Sequence, residues 1–177
     1  MNRVRRCRPG EGPALREIER LAGEAFRSIG MGPIAEAEPI SEEKLDAYAV
    51  SGRSWVATDE LDQPVGYVIV DVVDKNAHVE QISVLPGFQG QGLGRELLDA
   101  VRLWAVESGR AAITLTTFTH VPWNRPLYEH LGFVVMSEEE LGPELQAVQE
   151  HETQLGLDPT TRVCMRTTTS VSLIERA

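Results

Sequence analysis

Cysteine is scarce in this 177-residue sequence, in which Cys7 and Cys164 occur far apart. They lie outside any CxxC or zinc-ligand spacing, so the sequence predicts free thiols, no disulfide framework and no metal site. Long apolar runs are also missing, which argues against a membrane-spanning helix and against a secretory signal after the basic N-terminal residues. A reducing cytoplasm is the location expected by default.

Positive charge is the second scarcity. The 17 Lys and Arg residues face 27 Asp and Glu residues, which gives a formal net charge of -10. Nucleic-acid binding needs clustered basic side chains, so no nucleic-acid partner is predicted. An acidic surface suits a cationic partner, although such a charge balance more often serves solubility alone.

The hydrophobic content of 42% is enough to bury one sizeable core in 177 residues. No repeat, low-complexity tract or linker divides the chain, so a single domain over residues 1–177 is predicted. Helical or strand periodicity predicts helices near 15–26, 41–52, 95–109, 125–131 and 144–155, and strands near 55–57, 65–70, 77–84, 112–116, 133–136 and 162–167. This order predicts an α/β (α+β) fold with a mixed central sheet of about six or seven strands flanked by helices.

A glycine-rich turn, residues 89–94, lies between the strand near 77–84 and the strongest predicted helix. Glycines remove the Cβ atoms that would keep a bound group away from the backbone, and the amides at a helix N-terminus attract anions such as a pyrophosphate. A Walker loop would need Gly-Lys-Ser/Thr, and a dinucleotide site would need G-x-G-x-x-G in a repeating βαβ pattern. Gly90, Gly92 and Gly94 have the wrong spacing for either motif, and an ordinary tight loop is the alternative interpretation.

Two motifs in sequence order carry a resemblance to a known family. Gln89-x-x-Gly92-x-Gly94, after the segment 82–86, resembles the coenzyme A motif of the GNAT N-acyltransferase superfamily, and Leu127-Tyr128-x-x-x-Gly132-Phe133 resembles its second hallmark. The resemblance is sharp from about residue 77 to residue 133. It implies a GNAT fold with a central sheet splayed at an acyl-CoA cleft, and it implies acetyl-CoA as co-substrate.

The resemblance also implies which residues bind acetyl-CoA. The pyrophosphate is expected on the turn and the start of the helix, and the pantetheine arm is expected to pair with the preceding strand. The residues implied are Ile82, Ser83, Val84, Gln89, Gly90, Gln91, Gly92, Leu93, Gly94 and Arg95. Superfamily members often carry Asn seven residues before the Tyr, where this chain has Val121. Asn124 lies four residues before Tyr128 and is a further candidate coenzyme A contact, although a helix cap is the role favoured for it.

The expected chemistry needs a base, because an alkyl amine with a pKa of ~10.4 is protonated at neutral pH. Strand alternation places His78 and Glu80 on one face with Ile82 and Val84. Glu80 is the first candidate, by similarity to catalytic residues of GNAT enzymes, and His78 is the second. The alternatives are a solvated strand residue for Glu80 and a partly buried residue satisfied by a hydrogen bond for His78. His120 is a third candidate, whereas His130 and His151 are expected to be exposed.

The resemblance implies that the Tyr128 hydroxyl lies beside the sulfur and donates a proton or a hydrogen bond to the leaving thiolate. A core tyrosine packed on Phe133 is the alternative. The sequence therefore predicts an N-acetyltransferase that moves acetyl from acetyl-CoA to a primary amine by direct attack. The segment 29–41, read as a long loop able to close over a compact acceptor, favours a small molecule. A protein N-terminus or lysine is the alternative acceptor, a catalytically silent acyl-CoA-binding module is the alternative class, and a homodimer is left open.

Overall fold

The structure, a computed structural model, describes residues 3–170. The helices in this part are α1 (Gly12–Gly23), α2 (Gly32–Ala35), α3 (Glu42–Val50), α4 (Leu93–Glu107), α5 (Arg125–His130) and α6 (Pro143–Gln154). The strands are β1 (Val4–Arg6), β2 (Ser54–Thr58), β3 (Pro64–Val73), β4 (Asn76–Val84), β5 (Ala112–Phe118), β6 (Val134–Val135) and β7 (Arg162–Thr168). None of the helices found in this part of the chain is long and apolar enough to cross a bilayer.

The strands form one open seven-stranded sheet with the order β1-β2-β3-β4-β5-β7-β6. β4 and β5 run parallel, with Ala77, His78 and Val79 opposite Ile113, Thr114 and Leu115, while β1–β2, β2–β3, β5–β7 and β6–β7 are antiparallel. The predicted mixed sheet flanked by helices is confirmed. Strand β1 was not predicted, because its three residues are too few to show a period.

The described residues belong to two compact units. The first unit extends to Val70 and includes Glu80–Ala100, and the second comprises Asp71–Val79 and the described residues from Val101 on. The core of the first unit is built by residues of α1, α3, β2 and β3, with one cysteine: Cys7, Leu15, Ile18, Leu45, Tyr48, Val56, Tyr67 and Ile69. Cys7 and Cys164 are both free, as predicted, and both are buried.

The helical part of the first unit corrects the prediction of a long loop. A 3₁₀ segment, Glu24–Ile29, continues directly from α1, and Gly30 ends it with a φ of 78°. The short helix α2 follows, so the segment 29–41 begins with helical structure rather than with a loop. The predicted cap of the next helix is confirmed, because Ser41 has extended backbone angles and its hydroxyl accepts from the Lys44 amide at 3.3 Å.

In the second unit, α6 is attached to the β3–β4 turn through Asp74. The Asp74 carboxylate accepts hydrogen bonds from the amides of Glu144 and Leu145, both at 3.0 Å, and the Asp74 amide donates to the Glu144 side chain. Gly142 lies directly in front of α6, where a Cβ atom would collide with the Asp74 carboxylate. The N-terminus of α6 is therefore capped by a carboxylate from a residue distant in sequence.

The other end of α6 is attached to β5 and β7. Glu152 pairs with the Arg162 guanidinium at 2.9 Å and accepts a hydrogen bond from the Thr116 hydroxyl. Arg162 also donates to Thr116 at 2.9 Å and lies over the Phe118 ring at 4.6 Å. Along its length, α6 contributes Leu145 and Val148 to a second, smaller apolar cluster.

Candidate active site

The glycine-rich turn joins a short 3₁₀ segment, Pro86–Phe88, to α4. Gly90 and Gly92 have φ values of 76° and 82°, in the left-handed region that favours glycine. At Gly90, Gly92 or Gly94, a Cβ atom would meet nothing within 4 Å among the described residues beyond its chain neighbours. The turn is exposed from Gln89 to Gly92, so a group from outside the chain can approach its backbone closely.

Side chains within the turn hold it against the end of β4. The Gln89 side-chain amide donates to the Val84 carbonyl at 3.1 Å, and that of Gln91 donates to the Gly87 carbonyl at 3.5 Å. Both glutamine side chains therefore bind backbone carbonyls of this same segment. The motif glutamine has a local structural role that the sequence pattern did not show.

Helix α4 begins at Leu93, two residues before the predicted start at Arg95. Leu93 is 2% exposed and lies on the same buried stripe as Leu97 and Val101, so apolar packing fixes the first turn. The amides at the start of this helix have no partner within the helix, and the aligned peptide dipoles add partial positive charge there. The arrangement of turn and helix suits a bound anion. Arg95 is exposed in the first turn.

The last residues of β4 lie in a tightly packed part of the first unit. A Cβ atom on Gly66 would lie 3.1 Å from the Ser83 carbonyl oxygen, so a glycine at this position permits the close approach of β3. The Ser83 hydroxyl accepts from the Gln81 side chain at 2.9 Å. Pairing of a pantetheine arm with Ile82, Ser83 and Val84 stays a prediction.

Glu80 lies on β4 with its side chain partly exposed. Its carboxylate is 3.6 Å from the ammonium group of Lys44, which lies in the first turn of α3. The alkylammonium group of Lys44 therefore lies beside the carboxylate of Glu80, the first candidate for the base. The role of Glu80 as a base stays a prediction.

His78 has different surroundings in the second unit. It is 2% exposed, and its Nδ1 atom is 3.0 Å from the hydroxyl of Thr114, its cross-strand neighbour on β5. Burial lowers the pKa of His78, against the opposing effect of Glu152, Asp71 and Asp74, which favours the neutral ring. A buried histidine with a hydroxyl partner resembles the structural alternative considered above, and the role of His78 as a base stays a prediction.

Tyr128 lies on α5, and its ring packs edge-on against Phe133 with 5.7 Å between the ring centroids. Burial raises the pKa of Tyr128 to about 12. The phenol therefore stays neutral at physiological pH and can donate a hydrogen bond. This geometry fits the predicted donor role, and it also fits a tyrosine that packs on Phe133.

Asn124 corrects one expectation. It lies at the N-cap position of α5, but its side chain makes no capping hydrogen bond, and its backbone carbonyl accepts from the Tyr128 amide at 3.2 Å. The side-chain cap predicted for Asn124 is wrong.

His120, His130 and His151 are all exposed, the last two on helices as predicted. The described residues contain no group of three or more His, Cys, Asp or Glu side chains that could hold a metal ion.

Comparison with known proteins finds a family model that matches the part of the chain with both motifs. Residues 51–135, a little under half of the chain, match the model of the acetyltransferase (GNAT) domain. A peptidyl-lysine N-acetyltransferase, YjaB of Salmonella typhimurium, is 28% identical over 99 residues, which make up 56% of this chain and 63% of that protein. The chain thus spans less than two thirds of this relative's length.

Solved structures share the fold at low sequence identity. The PaiA N-acetyltransferase of Thermoplasma acidophilum, solved with coenzyme A, superposes with a TM-score of 0.69 at 15% identity, covering 93% of this chain and 97% of that one. The ribosomal-protein-S18-alanine N-acetyltransferase of Escherichia coli has a TM-score of 0.64 at 20% identity, covering 98% and 97%. At this identity the likeness concerns the fold.

Proposed function

We propose that the chain transfers an acetyl group from acetyl-CoA to a primary amine, as the match of residues 51–135 to the acetyltransferase (GNAT) domain suggests. The observation that carries the proposal is the turn before α4, where Gly90, Gly92 and Gly94 leave their Cβ space open beside the start of a 15-residue helix. The backbone amides from Gln89 to Gly94 would hold the pyrophosphate. Acetyl-CoA would supply the acetyl group as a thioester.

The proposed reaction is a direct transfer. The neutral amine nitrogen attacks the thioester carbonyl carbon, the new C–N bond forms, and the C–S bond breaks to release the coenzyme A thiolate. Glu80 would accept the proton that the amine loses, directly or through a water molecule. The Tyr128 hydroxyl would donate a hydrogen bond to the departing sulfur. Because its pKa is about 12, full transfer of its proton to a thiolate is uphill.

The acceptor that we propose is a small molecule with a primary alkylamine. The salt bridge between Lys44 and Glu80 supports the alkylamine, because it shows an ammonium group held at the proposed base. A peptidyl lysine is the second candidate acceptor, favoured by the likeness to YjaB. Two free, buried cysteines suit a reducing compartment, and we propose the cytoplasm as the location.

The decisive experiment is a screen of amines with acetyl-CoA, in which release of the coenzyme A thiol is followed. Polyamines, aminoglycosides, aryl amines, amino acids and lysine peptides should be included. Acetylation of a small alkylamine well above that of any peptide supports the proposal, and preference for lysine peptides supports the second candidate. Coenzyme A binding without turnover of any amine would favour the silent module instead.

Variants then test the roles of the three candidate residues. Tyr128→Phe removes only the hydroxyl and should lower kcat about 100-fold with little change in the KM for acetyl-CoA.

Glu80→Gln should lower kcat at neutral pH. Its kcat should recover as the pH approaches the acceptor's own pKa, because the free amine then forms without a base. His78→Gln should keep most activity. Full activity of Glu80→Gln with loss of activity in His78→Gln would transfer the base role to His78.

A further inference from the structure

Arg3, just before β1, reaches the glycine-rich turn from a distant part of the sequence. Its Nη2 atom donates to the backbone carbonyl of Gln91 at 3.2 Å, and the same nitrogen lies 2.5 Å from the Glu96 carboxylate in the first turn of α4. Gln91 stands between the two left-handed glycines of the turn. One guanidinium therefore contacts both the loop and the helix of the proposed pyrophosphate site.

The contact with Gln91 acts on the amide that follows it. The Gln91 carbonyl and the Gly92 N–H belong to the same planar trans peptide, so they point in opposite directions. A carbonyl held by Arg3 therefore directs the Gly92 N–H away from Arg3. A turn flanked by glycines can rotate its peptide planes easily, and a fixed carbonyl limits that freedom.

The contact with Glu96 acts through charge. A carboxylate in the first turn stabilises a helix by interacting with the macrodipole, but it also repels an anion that binds at the same end. The positive charge of Arg3 offsets this repulsion. Both side chains are a little over one third exposed, at 38% and 36%, so the size of the effect is limited by solvent screening.

We propose that Arg3 is a positioning residue for the diphosphate of coenzyme A: it orients the Gly92 amide and neutralises Glu96. This inference rests on the proposed function, because it takes the turn as the coenzyme A site. Arg3 itself is not assigned a contact with the reacting atoms. Its effect should therefore appear in the affinity for coenzyme A and not in kcat.

The test is a double-mutant cycle on coenzyme A binding, measured by calorimetry on the full chain. Arg3→Gln should weaken binding about two- to fivefold, the size expected of one charge near a helix terminus, and leave kcat unchanged. Glu96→Gln should bind at least as well as wild type. The double variant should recover a large part of the loss, because no carboxylate is left to neutralise.

Arg8→Gln is the matched control, since Arg8 forms another exposed ion pair of the first unit, with Asp62 at 2.7 Å. It should bind coenzyme A as wild type does. Thermal unfolding without ligand shows whether each variant is folded. An Arg3→Gln variant with wild-type affinity, or a double variant as weak as Arg3→Gln, would overturn the inference. If wild type binds no coenzyme A, the proposed function fails first and the inference fails with it.

Discussion

Helices α4 and α6 begin in contrasting ways. In front of α6, the space beside Gly142 is filled by the Asp74 carboxylate, which accepts hydrogen bonds from the amides of Glu144 and Leu145. At Gly90, Gly92 and Gly94, around the start of α4, a Cβ atom would meet no atom of the described residues within 4 Å beyond the adjoining backbone. Both helix starts attract negative charge. In α6 a carboxylate binds the first amides from in front of the helix, whereas the acidic residue of α4, Glu96, lies within its first turn.

This difference separates two uses of glycine. At Gly142 the missing Cβ makes room for a side chain of the same protein, so the glycine serves stability. At the turn before α4 the missing Cβ atoms leave the backbone accessible from outside, as the proposed coenzyme A site requires. A substitution should therefore affect unfolding at one place and coenzyme A affinity at the other.

The largest effect is expected from Gly92→Val, which should weaken coenzyme A binding about 100-fold, equivalent to losing one or two hydrogen bonds to a charged group. Valine adds a branched side chain in the open space, and it is also strained at a φ of 82°. Calorimetric titration of the folded variant with coenzyme A is the measurement.

The effect of backbone strain in Gly92→Val must be separated from the effect of blocking the coenzyme A site. Gly156 has a φ of 90° and similarly open Cβ space, so Gly156→Val introduces comparable strain at the end of α6. It should lose stability and keep its affinity for coenzyme A. Equal loss of coenzyme A affinity in both variants would mean that the turn before α4 is not the binding site.

An intermediate effect is expected from Gly142→Ala, which should lower the free energy of unfolding by about 2 kcal/mol through the collision with Asp74. The backbone angles at Gly142, φ -72° and ψ 168°, suit alanine, so only the collision matters. In an Asp74→Gly background the same change should cost far less. Denaturant unfolding gives the four free energies. If the two substitutions lowered the free energy of unfolding additively, or if Gly142→Ala weakened coenzyme A binding, the contrast between the two helix starts would be wrong.

The smallest effect concerns Glu19, a carboxylate whose partners are the Tyr67 hydroxyl at 2.8 Å and the Ile40 amide at 3.2 Å. Burial raises the pKa of Glu19 above its usual 4.5 despite these bonds. As the pH rises, Glu19 therefore loses its proton at a lower pH in the unfolded chain than in the folded chain. The free energy of unfolding falls as the pH rises above the pKa that Glu19 has in the unfolded chain. Glu19→Gln should remove this decline.

Glu17 on the same helix is the matched control. Its hydrogen bond with Arg20 lowers the pKa of Glu17, so its contribution to stability is present above the unfolded pKa and is lost as the pH falls. Unfolding curves measured between acid and neutral pH should show opposite changes of slope for Glu17→Gln and Glu19→Gln. The same change in both would contradict the assignment for Glu19.

Local signals explain what the sequence could predict. Ser41 with acidic residues behind it marked the start of α3, and the apolar stripe through Leu97 and Val101 marked α4. The glycine turn was evident because strand and helix periodicities meet there. Each of these features depends on residues a few positions apart, where spacing alone carries the information.

What could not be predicted depends on partners far apart in the chain. Arg3 meets the turn across 88 residues, and Asp74 meets α6 across about 70. No local pattern marks such a pair. The nearly complete burial of His78 was not fixed by the sequence either, because strand alternation shows which side chains share a face but not how deeply each one is buried.

The most direct test of the central claim is a ¹H–¹⁵N NMR titration of the folded chain with coenzyme A. We expect the amide signals of Gly90, Gly92 and Gly94 to shift most among the glycines, while those of Gly142 and Gly156 stay in place. Saturable binding that leaves the three turn amides unchanged, or shifts the glycines near α6 instead, would contradict it.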